Sequence, residues 1–238
     1  MLQAIVGGIR DLIFPSLCAW CREPCADDVS FCPKCTTEIL TDGHYTCPKC
    51  LTNVSPLAHV ADGCSMCEKD TFHYDHASRL NYYDGTIRDI ILQMKQQQGL
   101  VLAYSLGVLW GRHFQERFAQ YQFDAIVPVP LHWTRRWVRL YNQSAELAGG
   151  IAQVLNLPVL NNALLRVKRT PRQTQSSPTA RRENMRGAFR ASRRVNLDGK
   201  RILLVDDVLT TGSTASEAAK ALRQVGASFI HVAVVAHR

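Results

Sequence analysis

Eight of the nine cysteines fall into four pairs of one spacing, Cys18/Cys21, Cys32/Cys35, Cys47/Cys50 and Cys64/Cys67, and none lies beyond Cys67. A two-residue gap lets both thiolates of a knuckle face one tetrahedral ion, so four such knuckles without a secretory signal read as metal sites rather than disulfides. Eight thiolates make two ions, read as two structural zincs. The simplest pairing follows the chain, with Cys18, Cys21, Cys32 and Cys35 around one ion and Cys47, Cys50, Cys64 and Cys67 around the other; a crossed pairing is open to the same spacing. A filled thiolate shell leaves no free coordination position, which argues for a scaffold rather than a catalytic metal. A redox dithiol is the other account of a C-x2-C pair, and repetition of four knuckles speaks against it. Pro33 and Pro48 follow the first cysteine of their knuckles, where a fixed φ suits a turn. A module of this kind has little core of its own, so metal binding would supply most of its folding free energy. Cys25 is left over, either a spare thiol near the first site or a substitute ligand.

A chain of 238 residues with 46% apolar content has room for one α/β domain and a small appendage. Cysteine stops and apolar strands begin near His76, which divides the chain into residues 1–75, an N-terminal helix and double zinc ribbon, and residues 76–238. Residues 1–17 read as a short amphipathic helix with Ile5, Ile9, Leu12 and Ile13 on one face. Arg10 and Asp11 interrupt it, no cleavage site follows, and no apolar run reaches the roughly 18 residues of a spanning helix. The expectation is a cytoplasmic protein with no membrane span.

In the second unit, residues 125–129 read as a buried strand, 143–155 as a helix with Leu147, Ile151 and Val154 at helical spacing, and 201–205 as another buried strand. Unbroken apolar strands alternating with helices imply a mostly parallel sheet, and so an α/β fold. Residues 202–214 carry the most chemistry: a strand, the acidic pair Asp206 and Asp207, then Thr210, Thr211, Gly212, Ser213 and Thr214 opening a helix over residues 215–225. Ligands of open parallel sheets sit beyond the carboxyl ends of the strands, where the two acids are expected. The five small residues offer backbone N–H groups and hydroxyls at a helix N-terminus, an arrangement that binds phosphate. Gly212 admits close backbone approach. The carboxylates then lie about one sugar away, able to accept from ribose hydroxyls or to reach magnesium. A Walker-type nucleotide site is excluded, because no G-x-x-x-x-G-K-[ST] occurs. Gly226 is expected to end the helix and residues 229–235 to form a further strand.

Residues 205–214 resemble the phosphoribosyl pyrophosphate (PRPP) motif of type I phosphoribosyltransferases. Val127-Pro-Val-Pro-Leu131 followed by Arg135, Arg139 and Tyr141-Asn142-Gln143 is similar to the ComF family of competence-related proteins. Thr170-x2-Gln173, Arg181-x2-Asn184 with Ala188-Phe189, and Leu12-Ile-Phe-Pro15 leading into Cys18 are similar to it as well. The resemblance implies a type I phosphoribosyltransferase-like, mostly parallel sheet flanked by helices, behind a small double zinc ribbon. It further implies that Asp206 and Asp207 hold the ribose and residues 210–214 the 5-phosphate. Pro130 and Leu131 with Arg135, Arg139, Asn142 and Gln143 would hold pyrophosphate. Arg169, Gln173, Arg181 and Asn184 belong to a loop that folds over PRPP and its magnesium, with Arg181 acting beside the two acids. Leu140 stands where the family usually has glycine, and Ser176 where leucine is common. His132 is read as a surface residue.

Net charge is +8, yet residues 166–201 alone carry twelve Lys or Arg against Glu183 and Asp198. Positive charge so concentrated suits polyanions such as pyrophosphate, nucleotides or nucleic acid. Two functions are compatible with these features. One is magnesium-dependent pentosyl transfer from PRPP, or hydrolysis of a related compound, tied to nucleotide metabolism. The other is a non-catalytic module that binds PRPP, a nucleotide or single-stranded DNA and docks DNA-uptake proteins through the ribbon. Trp20, Phe31 and Tyr45 are the ribbon's candidates for base stacking.

Overall fold

The computed structural model describes residues 16–26, 30–61, 63–68, 70–131, 140–168 and 183–238. The amphipathic stretch expected before Leu17 therefore lies almost wholly outside the described residues. Within them the ribbon contains helix α1 (Pro33–Leu40) and the hairpin strands β1 (Tyr45–Thr46) and β2 (Asn53–Val54). The second unit contains β3 (His76–Tyr82), α2 (Gly85–Met94), α3 (Leu100–Ala119), β4 (Ala125–Pro128) and α4 (Gln143–Leu155). It continues with β5 (Leu164–Arg166), β6 (Phe189–Ala191), β7 (Arg201–Leu209), α5 (Ser213–Arg223) and β8 (Phe229–His237).

The main sheet has the order β3-β8-β7-β4 and every pairing in it is parallel. Residues 158–160 add a short parallel rung outside β4, through Ile126 N–H to the Pro158 carbonyl and Leu160 N–H to the Ile126 carbonyl. Both faces of the sheet are covered, which is why its strands read as continuous apolar runs. Leu203 and Val205 of β7 pack with Ile90 of α2, Leu106 of α3 and Leu147 and Ile151 of α4. Ile202 and Leu204, pointing the other way by the two-residue period, pack with Ala218 and Leu222 of α5. Helices α3 and α4 cross at backbone contact: a Cβ on Gly107 would lie 2.3 Å from the Leu147 carbonyl oxygen, and one on Gly150 2.2 Å from that of Tyr104. Only glycine permits this approach, and it sets the depth at which α4 enters the site.

The ribbon does not stand apart. Ala19, Phe31, Cys35 and Ile39 join the apolar layer of α2 and α3, and Leu51 and Tyr74 join that of α5. Arg79 of β3 is 4% exposed and donates to Asp42 (2.7 Å), the Leu51 carbonyl (3.1 Å) and Asn53 Oδ1 (2.7 Å). Removing Asp42 would strand a buried charge. Asn81, also on β3, donates to the Ile39 and Thr41 carbonyls, satisfying the open end of α1.

Strand β7 runs four residues further than expected, so Asp206 and Asp207 lie within it, with Asp206 opposite Val234 of β8. Helix α5 begins two residues earlier than the sequence suggests and ends at Arg223, ahead of Gly226, whose φ is +97°. Pro33 opens a helix rather than a turn, at a position whose missing N–H costs nothing. Among the described residues no helix is long and apolar enough to cross a membrane.

Candidate functional site

The eight knuckle cysteines gather into two groups in chain order, Cys18, Cys21, Cys32, Cys35 and Cys47, Cys50, Cys64, Cys67, with all sulfurs of a group within 4.8 Å of one another. Cys18–Cys21 and Cys47–Cys50 share one conformation. The carbonyl of the first cysteine accepts from the residue four further on, Arg22 or Leu51, and those two residues have φ of +66° and +64°. In the first group the partner knuckle is the start of α1, with Cys32 at its N-cap and Cys35 in its first turn.

Sulfur pairs stand 3.7 Å apart at Cys21/Cys32, 3.8 Å at Cys47/Cys67 and 3.6 Å at Cys50/Cys64. Four sulfurs about 2.3 Å from a tetrahedral zinc would be about 3.8 Å apart, so both groups fit that ion. Burial, with the neighbouring sulfurs, pushes the Cys35 and Cys67 thiols far above their ordinary range. Thiolates packed so closely need a cation to coexist. Cys25 is outside both groups.

The second site forms where β7 meets α4 and α5. Asn142 caps α4, accepting from Ser144 N–H at 3.3 Å, and its amide donates to the Val129 carbonyl at the end of β4 (3.1 Å). The next two residues reach the acids. Gln143 Nε2 donates to Asp207 Oδ2 at 3.1 Å, and Ser144 Oγ donates to Asp206 Oδ1 at 3.0 Å. Asp206 Oδ1 also accepts the backbone N–H of Asp207 (2.9 Å). Lys95, just past the end of α2, places its ammonium 2.8 Å from Asp207 Oδ2. One oxygen of each carboxylate is thus fixed, and the backbone N–H of Val208 also bears on the Asp207 carboxylate.

This environment separates the two acids. Burial, with the charge of Asp207, pushes Asp206 up to about 7. Burial acts on Asp207 in the same direction, but the Lys95 ammonium and the Gln143 amide overcome it and hold that carboxyl below its usual range. Below about pH 7 the pair therefore carries about one negative charge, and the second appears as pH rises through that value.

Beyond β7, Thr210, Thr211, Gly212, Ser213 and Thr214 bend into α5, with Gly212 in the left-handed region at φ +70°. The hydroxyls of Thr211 and Ser213 bond each other at 2.7 Å. Asp206, Thr210, Gly212, Ser213 and Thr214 line a cavity of about 20 Å³, room for a single water. On its outer side a cavity of about 280 Å³ separates residues 211–217 from residues 70–73 of the ribbon. Phe72 stacks on Tyr74 and the two rings cover Gly212, while His73 N–H donates to Ser216 Oγ at 3.1 Å.

The structure thus brings Asp206, Asp207, Gln143 and residues 210–214 together, with Asn142 as the cap behind them. Pro130 and Leu131 lie at the same edge, next to Val205 through the Val129 N–H. Asn184 is half-buried in a turn before β6, and that turn is tethered by Gly187 N–H to Glu217 of α5 (2.7 Å). Arg135, Arg139, Arg169, Gln173 and Arg181 lie outside the described residues, as do His132 and Ser176. Leu140 is described: it is 75% exposed with φ +66°, a conformation natural to glycine. Sequence reasoning missed Lys95 and Ser144. Ser144 adjoins the Asn142-Gln143 pair and could have been included; nothing local marks Lys95.

A parallel sheet enclosed by helices, with twin carboxylates on a strand that feeds a small-residue loop and a helix, defines a phosphoribosyltransferase-type domain. The phosphoribosyl transferase domain family matches residues 140–238. Competence protein F of Haemophilus influenzae is 34% identical over 75% of this chain and 80% of its own length. DNA utilization protein YhgH of Escherichia coli K12 is 30% identical over 93% of this chain and 96% of its own. The chain belongs to the ComF family that these relatives represent. Among solved structures, the glutamine phosphoribosylpyrophosphate amidotransferase of Bacillus subtilis aligns with 60% of this chain and 30% of its own, at 22% identity and a TM-score of 0.40.

Proposed function

We propose that residues 76–238 bind PRPP, or a related phosphoribosyl compound, with magnesium, and that residues 1–75 are a scaffold holding two zinc ions. The observation that carries this reading is the half-fixed acid pair. Protein donors hold Asp206 Oδ1 and Asp207 Oδ2 in place, and the remaining acceptor capacity of the two carboxylates would take up the two ribose hydroxyls. Next to them, α5 begins with N–H groups and hydroxyls of residues 210–214 suited to a 5-phosphate. Magnesium bound with the ligand would be held by ligand oxygens and these carboxylates, and would offset pyrophosphate charge. Pro130 and Leu131 would line the pyrophosphate side with Arg135 and Arg139. The segment with Arg169, Gln173, Arg181 and Asn184 would close over the ligand, excluding water.

The cellular role proposed is in competence and the utilization of DNA, as the names of the two relatives suggest, with the cytoplasm as the proposed place. The twelve basic residues of 166–201 suit either PRPP or a strand of DNA. Of the ribbon's three aromatic candidates, Tyr45 is 64% exposed and Phe31 only 3%, so Tyr45 supports base stacking and Phe31 does not.

Titration calorimetry with PRPP and magnesium tests the ligand. Heat that disappears in the Asp206→Asn, Asp207→Asn double variant supports it; no heat from the native protein refutes it. Pyrophosphate release across candidate bases then separates a transferase from a binding module.

A further inference from the structure

We infer that Lys95 is a pyrophosphate-binding cation of the sugar site, held against Asp207 until the ligand's diphosphate takes it over. The inference rests on the phosphoribosyl reading above and adds to it a residue that the sequence motif does not contain.

Its ammonium stands 2.8 Å from Asp207 Oδ2, with the lysine side chain 27% exposed and the carboxylate 13%. An ammonium has three N–H donors, and among the described residues only Asp207 takes one. Asp207 Oδ2 already has Gln143 as a second donor, so this carboxylate stays held if the lysine moves away. The turn that carries Lys95 is itself anchored. The hydroxyl of Tyr141, a residue 9% exposed, contacts the carbonyls of Met94 and Gln96 (2.9 Å for the latter), one on each side of Lys95. Residues 141–144 therefore seat Lys95 and grip both acids at once. An ordinary surface ion pair needs no such seat and adds little to stability.

Position identifies the ligand group. In PRPP the 5-phosphate and the pyrophosphate leave opposite ends of the ribose, and the pyrophosphate carbon adjoins one of the hydroxyls. With the 5-phosphate at the start of α5 and the hydroxyls on the acids, the pyrophosphate emerges on the other flank of β7. That flank is the one covered by α2 and α4, which pack on the sheet face opposite α5. Lys95 ends α2 there, on a flexible four-carbon stem that brings a compact charge to phosphate oxygens. Ribose 5-phosphate carries only a neutral hydroxyl at that position.

The test compares the two ligands by calorimetry with magnesium, using the native chain, Lys95→Met and Lys95→Arg, each checked for a cooperative thermal transition. Loss of one charge-assisted contact should weaken PRPP about tenfold or more in Lys95→Met. Ribose 5-phosphate should change by less than about threefold and Lys95→Arg should keep most PRPP affinity, since its charge is preserved. Equal loss for both ligands would make Lys95 a support for the acids only, and no loss for PRPP would remove it from the site; either overturns the inference while leaving PRPP binding intact. If the native protein binds neither ligand, the phosphoribosyl reading falls and this inference with it. Should Lys95→Met fail to fold, Lys95→Gln is judged by the same ratio.

Discussion

Replacing Gly212 by alanine perturbs the one residue at which the ribbon, the 210–214 loop and helix α5 meet. Two costs can be worked out. At φ +70° an L-residue is less stable by about 1–2 kcal/mol than in an ordinary conformation. The new Cβ would also lie 2.8 Å from Phe72 Cε1 and 3.0 Å from the Tyr74 hydroxyl, and overpacking of that kind costs about 1–3 kcal/mol. Together they predict a loss of roughly 2–5 kcal/mol, read by urea denaturation followed through fluorescence of the buried Trp110. The two contributions separate in a cycle with Phe72→Ala. In that background the nearer clash is gone, so Gly212→Ala should cost less, the conformational part of about 1–2 kcal/mol plus whatever the Tyr74 hydroxyl at 3.0 Å adds. A cost within about 0.5 kcal/mol of zero in the native background, the resolution of such measurements, would refute the contact. So would an identical cost in both backgrounds, since Phe72 would then not feel the added methyl.

Three further outcomes are expected. The Asp206 carboxyl, raised to about 7 by burial and by Asp207, takes up a proton on folding between its ordinary value and 7, so stability is higher at the acid end of that window and is lost as pH rises through it; denaturation across pH 5 to 8 (a span of about three units) should show this slope in the native chain and not in Asp206→Asn, and an unchanged slope would contradict the assignment. Elemental analysis should give two zincs per chain, with Cys21→Ser and Cys50→Ser each losing one and keeping the other, because the tetrads share no sulfur; loss of both from either variant would count against independent sites. Leu140→Gly removes an exposed side chain from a left-handed position, so it should raise stability by up to about 1 kcal/mol or leave it unchanged; a loss above about 1 kcal/mol would show a packing role that its 75% exposure denies.

Much of the fold was legible because its signals are local. Helix α4 falls where the spacing of Leu147, Ile151 and Val154 places it, and β4 and β8 follow their apolar runs to within two residues. The boundary that moved most was the end of β7. Two adjacent acids look like the end of a strand, yet ladder pairing with β8 carries the backbone on to Leu209 opposite His237. The ribbon was expected to have almost no core; instead its few apolar residues complete the two apolar layers of the second unit, a contact no composition reveals.

By itself the sequence determined the four cysteine knuckles and the order of strand, acids, phosphate-compatible loop and helix, since spacings of two or four residues are fixed by covalent geometry and local backbone preference. The tertiary structure decided which knuckles come together and which carboxylate oxygens Gln143, Ser144 and Lys95 hold. It also decided that Lys95 and the start of α4 converge on Asp206 and Asp207. Periodicity tells which face of a helix is apolar, but not which partner its polar end will meet. That depends on how deeply α4 packs against α3 and how α2 is seated by Tyr141, quantities set by side-chain volume across the whole core.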